Sequence, residues 1–193
     1  MHSSLFYLPG ALLSQPELSS ARLDGLLVEV GEGYMPSDLP EDASARMRSL
    51  AHLISPGYAA SGPTAAWVHG IGDAPPESHH VQRVSARRPR VPRLRNVVVH
   101  EQRLGDDDVE VIAVTPVTTR LRTLTDLVLR AGADPASAQW MHRFARADSR
   151  LVPQVRSVIE TWRRVPGRRA ALAALASLDA QAGDEQAQED VTR

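Results

Sequence analysis

The strongest constraint on the fold is the segment TTRLRTLTDLVLRAG at residues 118–132. Its apolar residues recur at the three- and four-residue spacing of one helix face, and Gly132 supplies a stop signal. The preceding residues, DVEVIAVTPV, read as a strand, the third in this part of the chain. A strand that leads directly into an amphipathic helix predicts a mixed domain with a helix packed on a sheet. The stripe consists of Leu121, Leu124, Leu127, Val128 and Ala131.

The N-terminal segment predicts a helix followed by a short hairpin. Ser14 and Glu17 have the spacing of a capping box, and Pro16 suits a first helical turn. The residues LLVEVGEGYMP then read as two strands around Gly31 and Gly33. This order has the outline of a winged helix-turn-helix, which other small α+β modules share.

The remaining segments complete an α+β prediction. Helices are expected at 41–54, 62–70, 136–147, 151–163 and 167–178, and the other two strands in HHVQRVS and RNVVVHEQRL. We divide the chain into a winged helix-turn-helix-like module at 1–38, a small mixed α/β domain at 39–132, C-terminal helices at 133–178 and a disordered acidic tail at 179–193.

Composition excludes several classes of function. The chain has no cysteine, so disulfides, thiolate metal sites and cysteine nucleophiles are ruled out. The apolar stretch LFYLPGALL at 5–13 is interrupted by Pro9 and Gly10 and is too short for a membrane span. We expect no signal peptide, no membrane anchor and a cytoplasmic protein. No motif for catalysis, for phosphate binding or for a metal centre occurs, so we expect no enzyme, no catalytic residue, no cofactor and no small-molecule substrate.

Charge is concentrated in separate regions, although the whole chain is formally at −1. Residues 1–60 have a net charge of −4, and residues 81–103 have a net charge of +6. The positive segment holds seven arginines, which are the candidate binding residues: Arg83, Arg87, Arg88, Arg90, Arg93, Arg95 and Arg103. Pro89 and Pro92 favour an extended chain that presents these side chains along a ribbon. Phosphates of a nucleic acid, carboxylates of a protein partner and plain solvent all suit such a ribbon.

Other conspicuous residues have structural interpretations. Trp67 is expected in the core with its indole nitrogen bonded to backbone, and His69 beside it does not require a ligand. Asp126 is expected to pair with Arg122 or Arg130, each four residues away. The acidic run DDDVEV at 106–111 is read as a solvated turn before a strand, with a divalent metal site as the less favoured alternative.

Read together, three segments resemble the AbiEi-type antitoxins and transcriptional regulators of actinobacteria. They are SGPTAAWVHGI, NVVVHEQRL after the arginine-rich segment, and DVEVIAVTPVTTRLRTLTDLVLRAG, and the likeness spans about residues 14–132. The resemblance implies an N-terminal winged helix-turn-helix followed by an α/β antitoxin domain. Some relatives continue into an endonuclease-like domain, which this chain is expected to lack.

The resemblance also implies partners. A cognate toxin of the nucleotidyltransferase type is expected, and operator DNA is a further candidate. Arg22 stands against Asp24, Glu29 and Glu32 in the predicted winged helix, so phosphates would be repelled there. The arginine ribbon is therefore the favoured surface, with Thr64, Trp67, Thr123 and Asp126 holding the domain together. The alternative is a stand-alone transcriptional regulator that binds DNA through the winged helix, and a third hypothesis is an enzyme remnant with a metal at the acidic turn.

Overall fold

The computed structural model describes residues 6–87, 96–162 and 165–191, the last eleven of these as backbone only. The described residues form seven α-helices and two β-sheets, which confirms the α+β class. The helices are α1 (Gln15–Leu23), α2 (Ala43–Leu50), α3 (Gly62–Val68), α4 (Arg120–Arg130), α5 (Pro135–Ala147), α6 (Leu151–Thr161) and α7 (Arg168–Val191). The strands are β1 (Leu27–Val30), β2 (Gly33–Pro36), β3 (Tyr58–Ala60), β4 (His79–Arg83), β5 (Val97–His100), β6 (Val109–Ile112) and β7 (Thr115–Thr118).

The larger sheet has five strands in the order β5-β4-β3-β7-β6. Strand β4 runs parallel to β5, and β3 runs parallel to β7. The pairs β3/β4 and β6/β7 are antiparallel. Strand β5 therefore lies at one edge of the sheet, and the connection that leads into it carries the arginine-rich segment.

The segment predicted as a single third strand is in fact the hairpin β6–β7, so that prediction is wrong. The chain reverses at Ala113 and Val114, whose φ angles are 48° and 64°. Glycine or asparagine normally occupies such left-handed positions, and neither is present to signal the turn. Strand β3 was also not predicted, because it is only three residues long and entirely buried.

Helix α4 lies at the centre of the core, as the stripe predicts. Leu124, Leu127 and Val128 are fully buried, and the helix packs against α3, α5, α6 and α7. At its start, Thr119 Oγ1 accepts a hydrogen bond of 3.4 Å from the backbone N–H of Arg122. The predicted stripe thus becomes the surface on which the other helices assemble.

The N-terminal helix and hairpin have a small core of their own, formed by Leu18, Leu27 and Tyr34. Glu17 Oε2 accepts hydrogen bonds from Ser14 N at 2.8 Å and Ser14 Oγ at 2.7 Å, so the predicted capping pair is present. On the opposite side of the hairpin, Val30 and Met35 belong to the main core. The hairpin is thus packed into the rest of the protein.

Helix α7 extends further than the sequence indicates. The acidic tail was predicted to be disordered from residue 179, but α7 continues to Val191. Alanine and glutamine, both good helix formers, are frequent there and can extend a helix without an apolar stripe. Asp179 also forms an ion pair with Arg156 of α6, which fixes the helix near the start of the predicted tail.

Candidate functional site

Two arginines, one at the end of β4 and one shortly after β5, bond to backbone where the β4–β5 connection leaves β4. Arg83 donates from Nε to Glu101 O at 3.0 Å and from Nη1 to Ser85 O at 2.9 Å. Arg103 donates from Nε to Val84 O at 3.1 Å. Two of the seven predicted binding arginines thus fasten the base of the connection.

The remaining predicted residues differ in what the structure says of them. Arg87 is exposed, at the last described position before the gap. Arg88, Arg90, Arg93 and Arg95 lie outside the described residues. By sequence, all five belong to the same connection, which starts at the end of β4 and leads to the edge strand β5.

The tip of the β1–β2 hairpin contacts the α/β part of the protein. Glu32 Oε1 accepts a hydrogen bond of 3.2 Å from His79 Nε2 on β4. Gly31, with φ of +55°, lies so close to Ser49 and Trp67 that an added Cβ would fall 2.3 Å from Ser49 Oγ. The tip of this hairpin is therefore packed against the protein itself.

A cleft lies on the face of the sheet opposite to His79. His80 and His100 line it from β4 and β5, together with Arg130 at the end of α4, and its volume is about 760 Å³. Alternation along β4 explains the two faces, because consecutive strand residues point in opposite directions. The adjacent residues His79 and His80 therefore serve different faces of the sheet.

The two cleft histidines form a hydrogen-bonded pair. His80 Nδ1 lies 3.0 Å from His100 Nε2, and the ring centroids are 5.2 Å apart. Burial, followed by the charge of Arg130, lowers the pKa of His80 to about 4 and that of His100 to about 3. Both imidazoles are neutral at pH 7, so one ring donates and the other accepts within the pair.

Arg130 is the least satisfied charged group of the cleft. Its Nη1 is buried without a hydrogen-bond partner, and its Nη2 lies 3.5 Å from Gln82 Oε1, at the outer limit of a hydrogen bond. Gln82 Nε2 is likewise buried without a partner. Buried polar groups are paired in most proteins, so this cluster needs an explanation.

The residues given structural roles by the sequence have such contacts. Asp126 Oδ1 lies 3.0 Å from Arg122 Nε, which confirms the predicted local pair. The same arginine reaches Asp108 of the acidic turn at 2.7 Å. Thr64 Oγ1 accepts a hydrogen bond from His80 N at 2.7 Å, and Thr123 Oγ1 lies 2.7 Å from Thr118 Oγ1.

Trp67 is in the core as predicted, only 1% exposed, but the predicted backbone bond of its indole is wrong. Its Nε1 has no hydrogen-bond partner, and the Arg46 guanidinium carbon lies 5.1 Å from the ring centroid. His69 Nε2 lies 2.7 Å from Thr118 O, a contact that joins α3 to β7.

Sequence reasoning missed the cleft. His80, His100 and Arg130 are 20 and 30 residues apart along the chain, and only the parallel pairing of β4 with β5 brings the histidines together. The isolated signal was a histidine within each of two predicted strands. Because the sequence does not reveal the strand order, that signal alone could not predict a pair.

No group of three or more histidine, aspartate or glutamate side chains that could hold a metal ion occurs within the described ranges. Among the helices that the structure describes, none has the length and apolar character needed to cross a membrane. A comparison with protein-family models gives no match, and a comparison with curated proteins gives none either.

Proposed function

We propose that this protein is a non-enzymatic, antitoxin-like regulator acting in the cytoplasm. It binds a toxin of the nucleotidyltransferase type, operator DNA, or both, through the arginine segment, defined as Arg87, Arg88, Arg90, Arg93 and Arg95. The class of partner follows from the resemblance to AbiEi-type antitoxins. The surface follows from the charge and the topology of this chain.

The observation that carries the proposal is the place of the arginine segment in the chain, between β4 and the edge strand β5. It belongs to the connection into the edge strand β5, and Arg83 and Arg103 fasten that connection at its base. The guanidinium groups of Arg83 and Arg103 already donate hydrogen bonds to backbone carbonyls. Arg87, in contrast, is exposed to solvent. Five arginines and two prolines in nine residues make this connection strongly cationic.

Both partner classes offer groups that arginine binds well. Guanidinium forms bidentate hydrogen bonds with carboxylates and with phosphates, and the planar fork gives these contacts a defined geometry. Binding to DNA would release counterions, so its affinity would fall steeply with salt, by a log-log slope of about −0.9 for each phosphate contacted. The affinity for a protein partner would not follow this fixed slope with salt concentration.

The alternative of DNA binding through the N-terminal module has less support. One helix followed by a hairpin is compatible with the winged-helix outline. The hairpin tip, however, carries Glu32 and is bonded to His79, and residues 1–60 have a net charge of −4. A module of this charge, with its wing packed inward, is a poor surface for phosphates.

A binding experiment on the full chain tests the proposal. The two probes are duplex DNA from the promoter of its own gene and the protein encoded beside it, if that protein is a nucleotidyltransferase. We expect saturable binding of at least one probe at physiological salt. Absence of a nucleotidyltransferase gene, together with a DNA affinity that does not change with salt, would contradict the proposal.

A further inference from the structure

The cleft beside the histidine pair contains a cation that the protein leaves incompletely bonded. Arg130 Nη1 is buried without a partner, and the contact of Nη2 with Gln82 is long at 3.5 Å. Burial lowers the pKa of Arg130, and the charge of Asp126 counteracts this effect. An arginine remains protonated in proteins, so the buried guanidinium keeps its charge. Removing that charge from water costs free energy, and no close hydrogen bond of Nη1 or Nη2 offsets this cost.

The histidine pair is directly beside this guanidinium. The position that a Cβ on Gly62 would occupy lies 3.3 Å from Arg130 Nη1 and 3.7 Å from His80 Nδ1. Gly62 has φ of +51° and no side chain, so the start of α3 leaves this space open. The Arg130 guanidinium and the His80 ring therefore lie side by side, with His80 Nδ1 itself bonded to His100.

No ion pair joins Arg130 to a carboxylate of the cleft among the described residues, although the charge of Asp134 raises the pKa of Arg130. Asp134 caps α5, and its carboxylate accepts hydrogen bonds from Ala136 N at 3.1 Å and Ser137 N at 3.0 Å. Glu77 is exposed in the loop at the rim, and Arg143 lies at the rim with its guanidinium 5.4 Å from the Trp140 ring centroid. Asp134 is engaged by the helix N-terminus, which leaves the guanidinium of Arg130 as the dominant charge beside the histidines.

A metal cation is a poor occupant, although two imidazole nitrogens lie close together. The neighbouring guanidinium repels a cation, and its charge is the second largest cause of the low pKa of each histidine. An anion has the opposite preference. It would pair with Arg130 and accept a hydrogen bond from the imidazole N–H that the pair leaves free, since a hydrogen-bonded pair of neutral histidines uses one of its two N–H groups internally.

We propose that this cleft binds a small organic anion through a phosphate or carboxylate group held by Arg130 and the His80–His100 pair. The volume of about 760 Å³ exceeds what a bare oxyanion needs and falls within the range of small-molecule sites. Pro75, Pro76 and Val98 line the rest of the cleft and offer apolar surface to the body of the ligand.

This site is separate from the arginine segment, so its test does not depend on the proposed function. The sequence predicts no small-molecule substrate. The anion proposed here is a bound ligand. Calorimetric titration of the full chain with inorganic phosphate, with acetate and with adenosine 5′-monophosphate measures binding. Binding of phosphate but not of acetate would indicate that the natural ligand carries a phosphate group. Binding of acetate but not of phosphate would indicate a carboxylate group.

Variants locate the bound anion. Arg130→Gln removes the charge and is expected to weaken binding at least tenfold, because a hydrogen bond to a charged group contributes about 1.5–3 kcal/mol. Arg150→Gln removes an exposed arginine outside the cleft and should leave the affinity within twofold. If Arg130→Gln does not fold, His100→Gln carries the same test, with imidazole chemical shifts of the wild type as an independent readout.

Two results would overturn the proposal. One is the absence of heat and of shifts in the His80 and His100 resonances with all three anions. The other is binding that Arg130→Gln and Arg150→Gln weaken equally. A titration with Zn²⁺ is carried out in parallel. If Zn²⁺ binds through His80 and His100 and no anion binds, the cleft is a metal site and the anion proposal is wrong.

Discussion

His79 Nε2 on β4 donates a hydrogen bond to Glu32 Oε1 at the tip of the β1–β2 hairpin, over 3.2 Å. The two residues are 47 positions apart, and their contact joins the N-terminal module to the five-stranded sheet. Glu32 therefore faces the protein, where it meets a histidine. The hairpin tip is thus packed into the protein, and the arginine segment is the binding surface that we propose.

Gly31→Ala tests whether the hairpin tip is packed as described. Its added Cβ would lie 2.3 Å from Ser49 Oγ and 2.9 Å from Trp67 Cη2. We expect a loss of about 3 kcal/mol or more, from the left-handed backbone and from overpacking together. Gly25→Ala is the matched control, because Gly25 also has a positive φ, of +74°, but nothing within 4 Å of the added Cβ. Equal losses in urea unfolding would show that the tip is free.

The β6–β7 turn is expected to gain stability when its residues are changed to suit its backbone. Ala113→Asn with Val114→Gly supplies the residues that two left-handed positions favour, and Val114 is 94% exposed, so little packing is lost. We expect the free energy of unfolding to rise by about 1 kcal/mol. Val111→Gly, in the adjacent strand, should lower it by about 0.5–1 kcal/mol. A double variant less stable than the wild type would contradict this turn.

Asp126 is expected to matter for stability mainly through Arg122. Asp126→Ala leaves the buried Arg122 with Asp108 as its remaining carboxylate partner among the described residues, at a cost of about 3 kcal/mol. Asp126→Asn should cost less, since burial raises the pKa of this carboxyl and so disfavours its charge. Asp106 lies in the same acidic turn as Asp108 and is highly exposed, so Asp106→Ala should change the free energy of unfolding little. If Asp126→Ala and Asp126→Asn lower the free energy of unfolding equally, the loss comes from the charge alone and this expectation is wrong.

Stability is expected to fall as the pH is lowered from about 6.5 towards 4. Burial lowers the pKa of His69 and His79, and that of His80 to about 4. In this window the unfolded chain binds protons that the folded protein does not, so acid favours unfolding. The slope is about 1.4 kcal/mol per pH unit for each histidine protonated only in the unfolded chain. Urea unfolding across this range measures the slope, and His80→Gln should reduce it. An increase in stability on acidification would contradict these environments.

The sequence predicted those elements whose signals are local. The stripe of α4 from Leu121 to Val128 and the Ser14–Glu17 capping pair each lie within a few residues, and both are present. The turn at Ala113 and Val114 was missed because tertiary packing imposes a backbone that its residues do not favour. The extension of α7 was missed because helix propensity without an apolar stripe was read as disorder.

The candidate sites divide in the same way. The arginine segment is contiguous, so charge alone identified it, while the roles of Arg83 and Arg103 at its base depend on the pairing of β4 with β5. The cleft at His80, His100 and Arg130 depends entirely on that pairing and on the end of α4. Contacts between distant residues require the strand order, which no local pattern in this sequence specifies.

The most direct test of the proposed function is charge reversal in the arginine segment. The variant Arg87→Glu/Arg88→Glu/Arg90→Glu is compared with Arg22→Glu/Arg150→Glu/Arg169→Glu, a control that makes the same change of net charge at exposed positions elsewhere. Affinity for the promoter DNA and for the neighbouring nucleotidyltransferase is measured together with the melting temperature. We expect the segment variant to lose at least tenfold in affinity with a nearly unchanged melting temperature, and the control to keep its affinity. Full binding by the segment variant would contradict this expectation.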